Sequence, residues 1–125
     1  MSKRLFYICE KCGNMISYVK DKGTKVVCCG VPMTKLTENT SDGATEKHVP
    51  EVKKDGKNIK VTVGSVLHPS TEEHHIEWIA LAEEHKTTRV QLENTGEPIA
   101  LFDNVTLPAK VYAYCNLHGL WSTDI

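Results

Sequence analysis

The sequence predicts a mainly β protein in two parts: a small metal-knuckle domain held by four cysteines, then an antiparallel sandwich or barrel. Three observations carry that reading. Four of the five cysteines fall in the first 29 residues, in two pairs. Beyond residue 45, apolar residues alternate over short runs bounded by Gly, Pro and Asn. The charge also divides: residues 1–36 hold seven Lys/Arg and two Asp/Glu, and residues 37–125 hold eight and fourteen. A total of -1 therefore conceals a basic part near +5 and an acidic part near -6.

Size and composition narrow the function classes. With 125 residues, 40% hydrophobic and 25% charged, the chain has room for one or two small domains and none for a large multi-domain enzyme; disorder and collagen-like repetition are excluded. No apolar run approaches the roughly 18–20 residues of a membrane span. The four apolar residues Leu5-Phe6-Tyr7-Ile8 are too short a core for a signal peptide, so a cytoplasmic location is expected. In that reducing compartment the cysteines read as metal ligands, nucleophiles or buried hydrophobes rather than disulfides. No internal repeat or Gly-rich phosphate loop is present. The basic part lacks the interleaved basic and aromatic residues of a nucleic-acid surface, so no nucleic-acid partner is expected.

Residues 1–36 are too few to fold by hydrophobic burial alone, and a bound metal is the expected substitute. Cys9-Glu-Lys-Cys12-Gly13 has the spacing of a knuckle in which two thiolates grip one ion, with Gly13 allowing the turn that brings amide N–H groups towards sulfur. Cys28-Cys29-Gly30 supplies the second pair. Adjacent side chains diverge, so seating both sulfurs on one ion should twist the backbone and distort the tetrahedron. Four sulfurs suit zinc or iron alike, and a purely structural knuckle remains open on these residues alone. Residues 37–45, polar and aperiodic, read as a linker, leaving 46–125 as the second domain.

Within the second domain Ile59–Val63, Val90–Leu92 and Lys110–Tyr114 are expected strands, bounded by Gly56, Gly64, Asn94-Thr-Gly96 and Pro108. Ile76–His85 is ambiguous: only Ile76, Trp78 and Ala80 alternate, so an edge strand and a helix are equally supported. Candidate ligands lie in Glu46-Lys47-His48-Val49-Pro50, in His68-Pro69 with His74-His75, and in Cys115-Asn-Leu-His118-Gly119. Cys115-x2-His118 can bring sulfur and imidazole to one ion from a tight turn. On its own it fits equally a thiol activated by imidazole, or a buried cysteine beside an unrelated histidine. His48, His68 and His118 each lie within two residues of a Pro or Gly, where a rigid turn can fix a side chain's direction.

Together these motifs, in this order from Tyr7 to about Trp121 and including Trp78-Ile79, resemble desulfoferrodoxin, the two-iron form of superoxide reductase. The resemblance implies a desulforedoxin-like first domain with a distorted iron centre on Cys9, Cys12, Cys28 and Cys29. It implies an immunoglobulin-like β-sandwich as the second. There His48, His68, His74 and His118 would lie in the equatorial plane of a catalytic iron, with Cys115 as axial thiolate. Glu46 matches a carboxylate that can take the sixth position in the ferric state, and Lys47 matches the family's catalytic lysine. His75, adjacent to His74, is expected to point elsewhere, and His85 matches no motif.

The implied activity is one-electron reduction of superoxide to hydrogen peroxide, with electrons from a rubredoxin-type donor, in a homodimer. The donor set agrees chemically. Four histidines and one thiolate exceed the four ligands zinc prefers, whereas iron accepts five and keeps a position open. In a chain of near-zero total charge, attraction of the anion must come from a local positive patch such as Lys47. A non-catalytic two-iron electron carrier, and a zinc ribbon joined to a binding module, are the competing readings.

Overall fold

The computed structural model describes residues 4–40, 43, 45–93 and 96–125, arranged as two compact units divided between Thr37 and Glu38. The expected turn residues Asn94 and Thr95, and Ser41, Asp42 and Ala44 of the expected linker, lie outside the described residues.

In the first unit, β1 (Phe6–Ile8) pairs antiparallel with both β2 (Met15–Ser17) and β5 (Thr34–Lys35). Between them β3 (Val27–Cys28) and β4 (Val31–Pro32) form a separate two-stranded ribbon. Among the described residues of this unit only Phe6 and Cys9 are buried. So small a core matches the expectation that apolar burial alone does not hold it.

The second unit is a sandwich of two antiparallel sheets. One holds β6 (Pro50–Asp55), β7 (Asn58–Val63) and β10 (Ile99–Phe102), in the order β10-β7-β6. The other holds β8 (Ile76–Ala82), β9 (Thr87–Gln91), β11 (Lys110–Cys115) and β12 (Gly119–Asp124), in the order β12-β11-β8-β9. Inward residues of both sheets, Ile59, Val61, Val63, Ile76, Ile79, Leu81, Phe102, Val111 and Ala113, form one core, and Cys115 belongs to it. Glu38 and Asn39, within the stretch expected as a linker, are tied to this unit. Glu38 pairs with Lys110 and accepts from Ser122 Oγ, and Asn39 Oδ1 accepts the Ser122 N–H at 2.9 Å.

Of the ambiguous stretch Ile76–His85, Ile76–Ala82 is a strand, and an interior one, since β8 is bonded to β11 on one side and β9 on the other, while residues 83–85 lie in the turn to β9. Its alternation is obscured because both faces are covered. Ile79 and Leu81 enter the core, while Trp78 stacks on Tyr114 with ring centroids 5.9 Å apart. Near the end of the β8–β11 ladder the register slips. Tyr114 faces Trp78 but Cys115 faces Ile76, leaving Glu77 as the extra residue of a bulge. Such a bulge bends the strand that holds the extra residue, here the start of β8, which follows His74 and His75 and faces Cys115.

Candidate metal centres

The Cys9, Cys12, Cys28 and Cys29 sulfurs all lie within 4.8 Å of one another. Gly13 takes φ +84° and closes the knuckle, with the Cys12 N–H directed at Cys9 Sγ (3.5 Å) and the Asn14 N–H at Cys12 Sγ (3.4 Å). At the adjacent pair, Cys29 (φ +52°) and Gly30 (φ +77°) are both left-handed. That is the local twist two neighbouring sulfurs need in order to face one point. Sulfurs about 2.3 Å from one ion in a tetrahedron stand about 3.8 Å apart, and here Cys12–Cys28 is 3.6 Å and Cys28–Cys29 is 4.0 Å.

The thiols cannot all ionise without a cation among them. The Cys12 backbone N–H, against some desolvation, holds Cys9 down at about 6, whereas hydrogen bonds donated by the Cys29 thiol to Cys12 and Cys9 push Cys29 up to about 12. A divalent or trivalent ion relieves that conflict, so the site fits a bound iron.

The second cluster gathers residues distant in sequence: His48 at the end of the short helix α1 (Thr45–His48), His68 and His74 from the β7–β8 connection, and Cys115 at the end of β11. Their ligand atoms likewise lie within 4.8 Å of one another. His68 Nδ1 is 2.7 Å from the Pro69 carbonyl, which can only accept, so Nδ1 carries the proton and Nε2 presents a lone pair to the cluster. That Nε2 stands 3.1 Å from His48 Nε2 and 3.4 Å from Cys115 Sγ. Nitrogens at right angles on one ion, each about 2.1 Å away, stand about 3 Å apart. His74 Nε2 is buried with no hydrogen-bond partner. A buried orphan nitrogen aimed among two imidazoles and a sulfur fits a metal ligand.

Electrostatics point the same way. Burial holds the His68 imidazole at about 4, with the Pro69 carbonyl opposing and the charges of His48, His74 and His118 assisting. Burial likewise lowers His74, followed by its histidine neighbours and Lys47. Burial raises the Cys115 thiol, against hydrogen bonds from the Leu117 and His118 N–H groups. The cluster thus favours neutral imidazoles and needs a cation to hold its thiolate.

His118 stands against the group: its ring lies 4.9 Å from His48 and 5.0 Å from His74, centroid to centroid, although it is not one of the four residues whose donor atoms converge within 4.8 Å. Lys47 is exposed, yet near enough for its charge to bear on His74. The Glu46 carboxylate is outside the convergent group; Glu46 lines a surface recess with Val49, Pro50, Glu51 and Ser65. His75 points away and binds the Thr71 carbonyl through Nδ1 at 2.8 Å. His85 is exposed on the β8–β9 turn beside Glu84.

Sequence reasoning gave no role at this centre to three residues that shape it, although it read Gly64 as a strand boundary. Trp121 stacks on His48 at 4.9 Å and donates Nε1–H to the His118 carbonyl at 3.0 Å. Gly64 lets α1 approach, since a Cβ there would fall 2.6 Å from the Glu46 carbonyl oxygen and 2.9 Å from the Lys47 carbonyl carbon. Gly43 lies on the rings, where a Cβ would come within 3.2 Å of both His48 and His118. The indole and the glycines were visible in the sequence, but their neighbours were not.

The sequence matches the family model of the desulfoferrodoxin N-terminal domain over residues 2–36 and that of desulfoferrodoxin over residues 40–124. The chain belongs to the desulfoferrodoxin family. It is 48% identical over 118 residues to a desulfoferrodoxin of Syntrophotalea carbinolica, covering 94% of each chain. It is 46% identical over 119 residues to one of Clostridium acetobutylicum, covering 95% of this chain and 94% of the relative. Its fold is similar to the crystal structure of the superoxide reductase from Treponema pallidum, with a TM-score of 0.78, 31% identity and 98% of each chain covered. The four-cysteine group and the histidine–cysteine group fall where a two-iron desulfoferrodoxin needs its donors, one in each matched region.

Proposed function

We propose that this desulfoferrodoxin is a superoxide reductase that converts superoxide to hydrogen peroxide at the histidine–cysteine centre. The observation that carries the reading is the convergence of three imidazoles on the buried Cys115 sulfur, with His74 Nε2 left unpartnered. The likeness to the Treponema pallidum superoxide reductase supports it. In our assignment His48, His68, His74, His118 and Cys115 hold the catalytic iron, and Cys9, Cys12, Cys28 and Cys29 hold the other. Residues 1–36 are the redox domain, 37–45 the connection and 46–125 the catalytic domain.

When bound, ferrous iron supplies the one electron that, with two protons, turns superoxide into hydrogen peroxide. The protein's own groups set the conditions. The Leu117 and His118 N–H groups donate to Cys115 Sγ and withdraw charge from the thiolate, restraining a push that would otherwise favour O–O cleavage. The Pro69 carbonyl fixes the His68 tautomer. Lys47, exposed beside His74, attracts the anion and orients water. We assign the protons to that water, with Lys47 holding it in place. Glu46, on its surface recess, would be the carboxylate available to the oxidised iron.

Each turnover consumes one external electron, which we assign to a rubredoxin-type donor, in a cytoplasmic homodimer; the family resemblance supports both. No helix among the described residues is long and apolar enough to cross a membrane. Titrating the oxidised iron-loaded Glu46→Ala variant, in which no carboxylate competes for the iron, with azide or cyanide tests the reading. A change in the histidine–cysteine absorption, with the four-cysteine spectrum unmoved, is expected. No change at either centre would favour the two-iron electron carrier, which has no position for an anion.

A further inference from the structure

His74, like His68, is carried by backbone outside regular structure on both sides, since β7 ends at Val63 and β8 begins only at Ile76. Its surroundings nevertheless satisfy the backbone group by group. Thr71 Oγ1 takes the His74 N–H at 3.1 Å, and the Thr71 N–H and hydroxyl both donate to the His74 carbonyl, at 3.0 and 3.2 Å. Asn116 holds the groups on either side. Its Nδ2 donates to the Glu73 carbonyl at 2.9 Å, its Oδ1 accepts the His75 N–H at 2.9 Å, and its own N–H donates to the His75 carbonyl at 3.2 Å. The orientation of the Asn116 amide is unambiguous, because a carbonyl can only accept and a backbone N–H can only donate.

Asn116 is also the residue after Cys115, at the point where the bulge ends the regular β8–β11 register. One half-buried side chain therefore ties the peptide groups flanking an imidazole to the strand end that carries the sulfur. We propose that Asn116 is a positioning residue that couples His74 to Cys115 and fixes the angle between imidazole and thiolate at the metal. The inference rests on reading this cluster as the iron centre and adds to that reading the device that holds one of its loop-borne ligands. An irregular loop held by its own turn alone would leave His74 free to rotate with Thr71. The three bonds from Asn116 remove that freedom and make any displacement of the thiolate strand a displacement of His74 as well.

The test is ferrous iron binding by the full chain, followed by competition with a chelator. It is run on the wild type, on Asn116→Leu, which keeps the size and loses both side-chain bonds, and on Asn116→Asp, which keeps an acceptor for the His75 N–H and loses the donor to Glu73. Outer partners of metal ligands typically change affinity 10- to 100-fold. Asn116→Leu should weaken iron at the histidine–cysteine centre by about that factor, Asn116→Asp by less, and both should shift the thiolate absorption and midpoint potential of the loaded centre. The four-cysteine spectrum should not move. Wild-type affinity, band and potential in both variants would overturn the proposal. Should Asn116→Leu not fold, Asn116→Asp decides by the same three readouts. A wild-type cluster that binds no iron would instead refute the reading beneath it, and the two failures are thereby distinguished.

Discussion

Around the four-cysteine site Cys12 and Cys29 are exposed, and Phe6 and Cys9 are the buried residues of that unit among those described. Around Cys115, buried side chains from both sheets pack into one continuous core that includes the cysteine itself. The first unit's strands are two or three residues long, and those of the sandwich are four to seven. Where apolar burial is scarce, the metal holds the fold; where it is abundant, the fold holds the metal site. Thiolates on an exposed knuckle can reach an ion with little help, whereas imidazoles from three separate segments converge only because a sandwich places the segments together.

The largest effect expected from that contrast follows metal removal. Chelation under denaturant-free conditions should unfold residues 4–37 and leave the sandwich folded, read as collapse of amide dispersion in the first unit alone. Equal loss in both units would break the comparison. Next, Cys115→Ser should abolish the thiolate-to-iron absorption and the superoxide reaction of the second centre while the four-cysteine spectrum persists. Retained thiolate absorption would show that Cys115 is not the ligand.

Gly64→Ala sharpens the claim that the fold makes the second site. A methyl group 2.6 Å from the Glu46 carbonyl forces α1, and His48 with it, to move. Overpacking of this kind costs about 1–3 kcal/mol. The sandwich should melt earlier and bind iron more weakly, with the first unit unaffected by spectrum. The smallest effect is expected for Lys47→Ala. Iron should remain bound, while superoxide capture slows several-fold and loses part of its ionic-strength dependence; capture as fast and as salt-sensitive as before would remove Lys47 from the steering role.

The same contrast explains what the sequence made legible. Cys9-x2-Cys12 and Cys28-Cys29 announce a shared ion by spacing, because their sulfurs are brought together by local turns. His48, His68, His74 and Cys115 are 20, 6 and 41 residues apart in turn, and no spacing rule joins them. Only resemblance to a known family did so. The β7 run showed its period because one face is core and the other largely open, with turn residues bracketing it, whereas β11, buried on both faces from Val111 to Cys115, was marked off by Pro108 rather than by alternation. β8 hid its period because Trp78 and Tyr114 cover its second face. Asn116 was in plain view between Cys115 and His118, but its part is played through backbone groups of residues 73–75, which residue type alone does not reveal.

The central claim, that the buried histidine–cysteine centre reduces superoxide while the exposed four-cysteine centre does not meet it, is tested most directly by mixing. Fully reduced, iron-loaded protein is mixed anaerobically with a limiting amount of superoxide, and both iron spectra are followed together with peroxide and dioxygen. The account predicts one hydrogen peroxide per superoxide, no dioxygen, and first oxidation at the Cys115 centre. Dioxygen evolution with half that peroxide, or oxidation of the four-cysteine centre first, would contradict it.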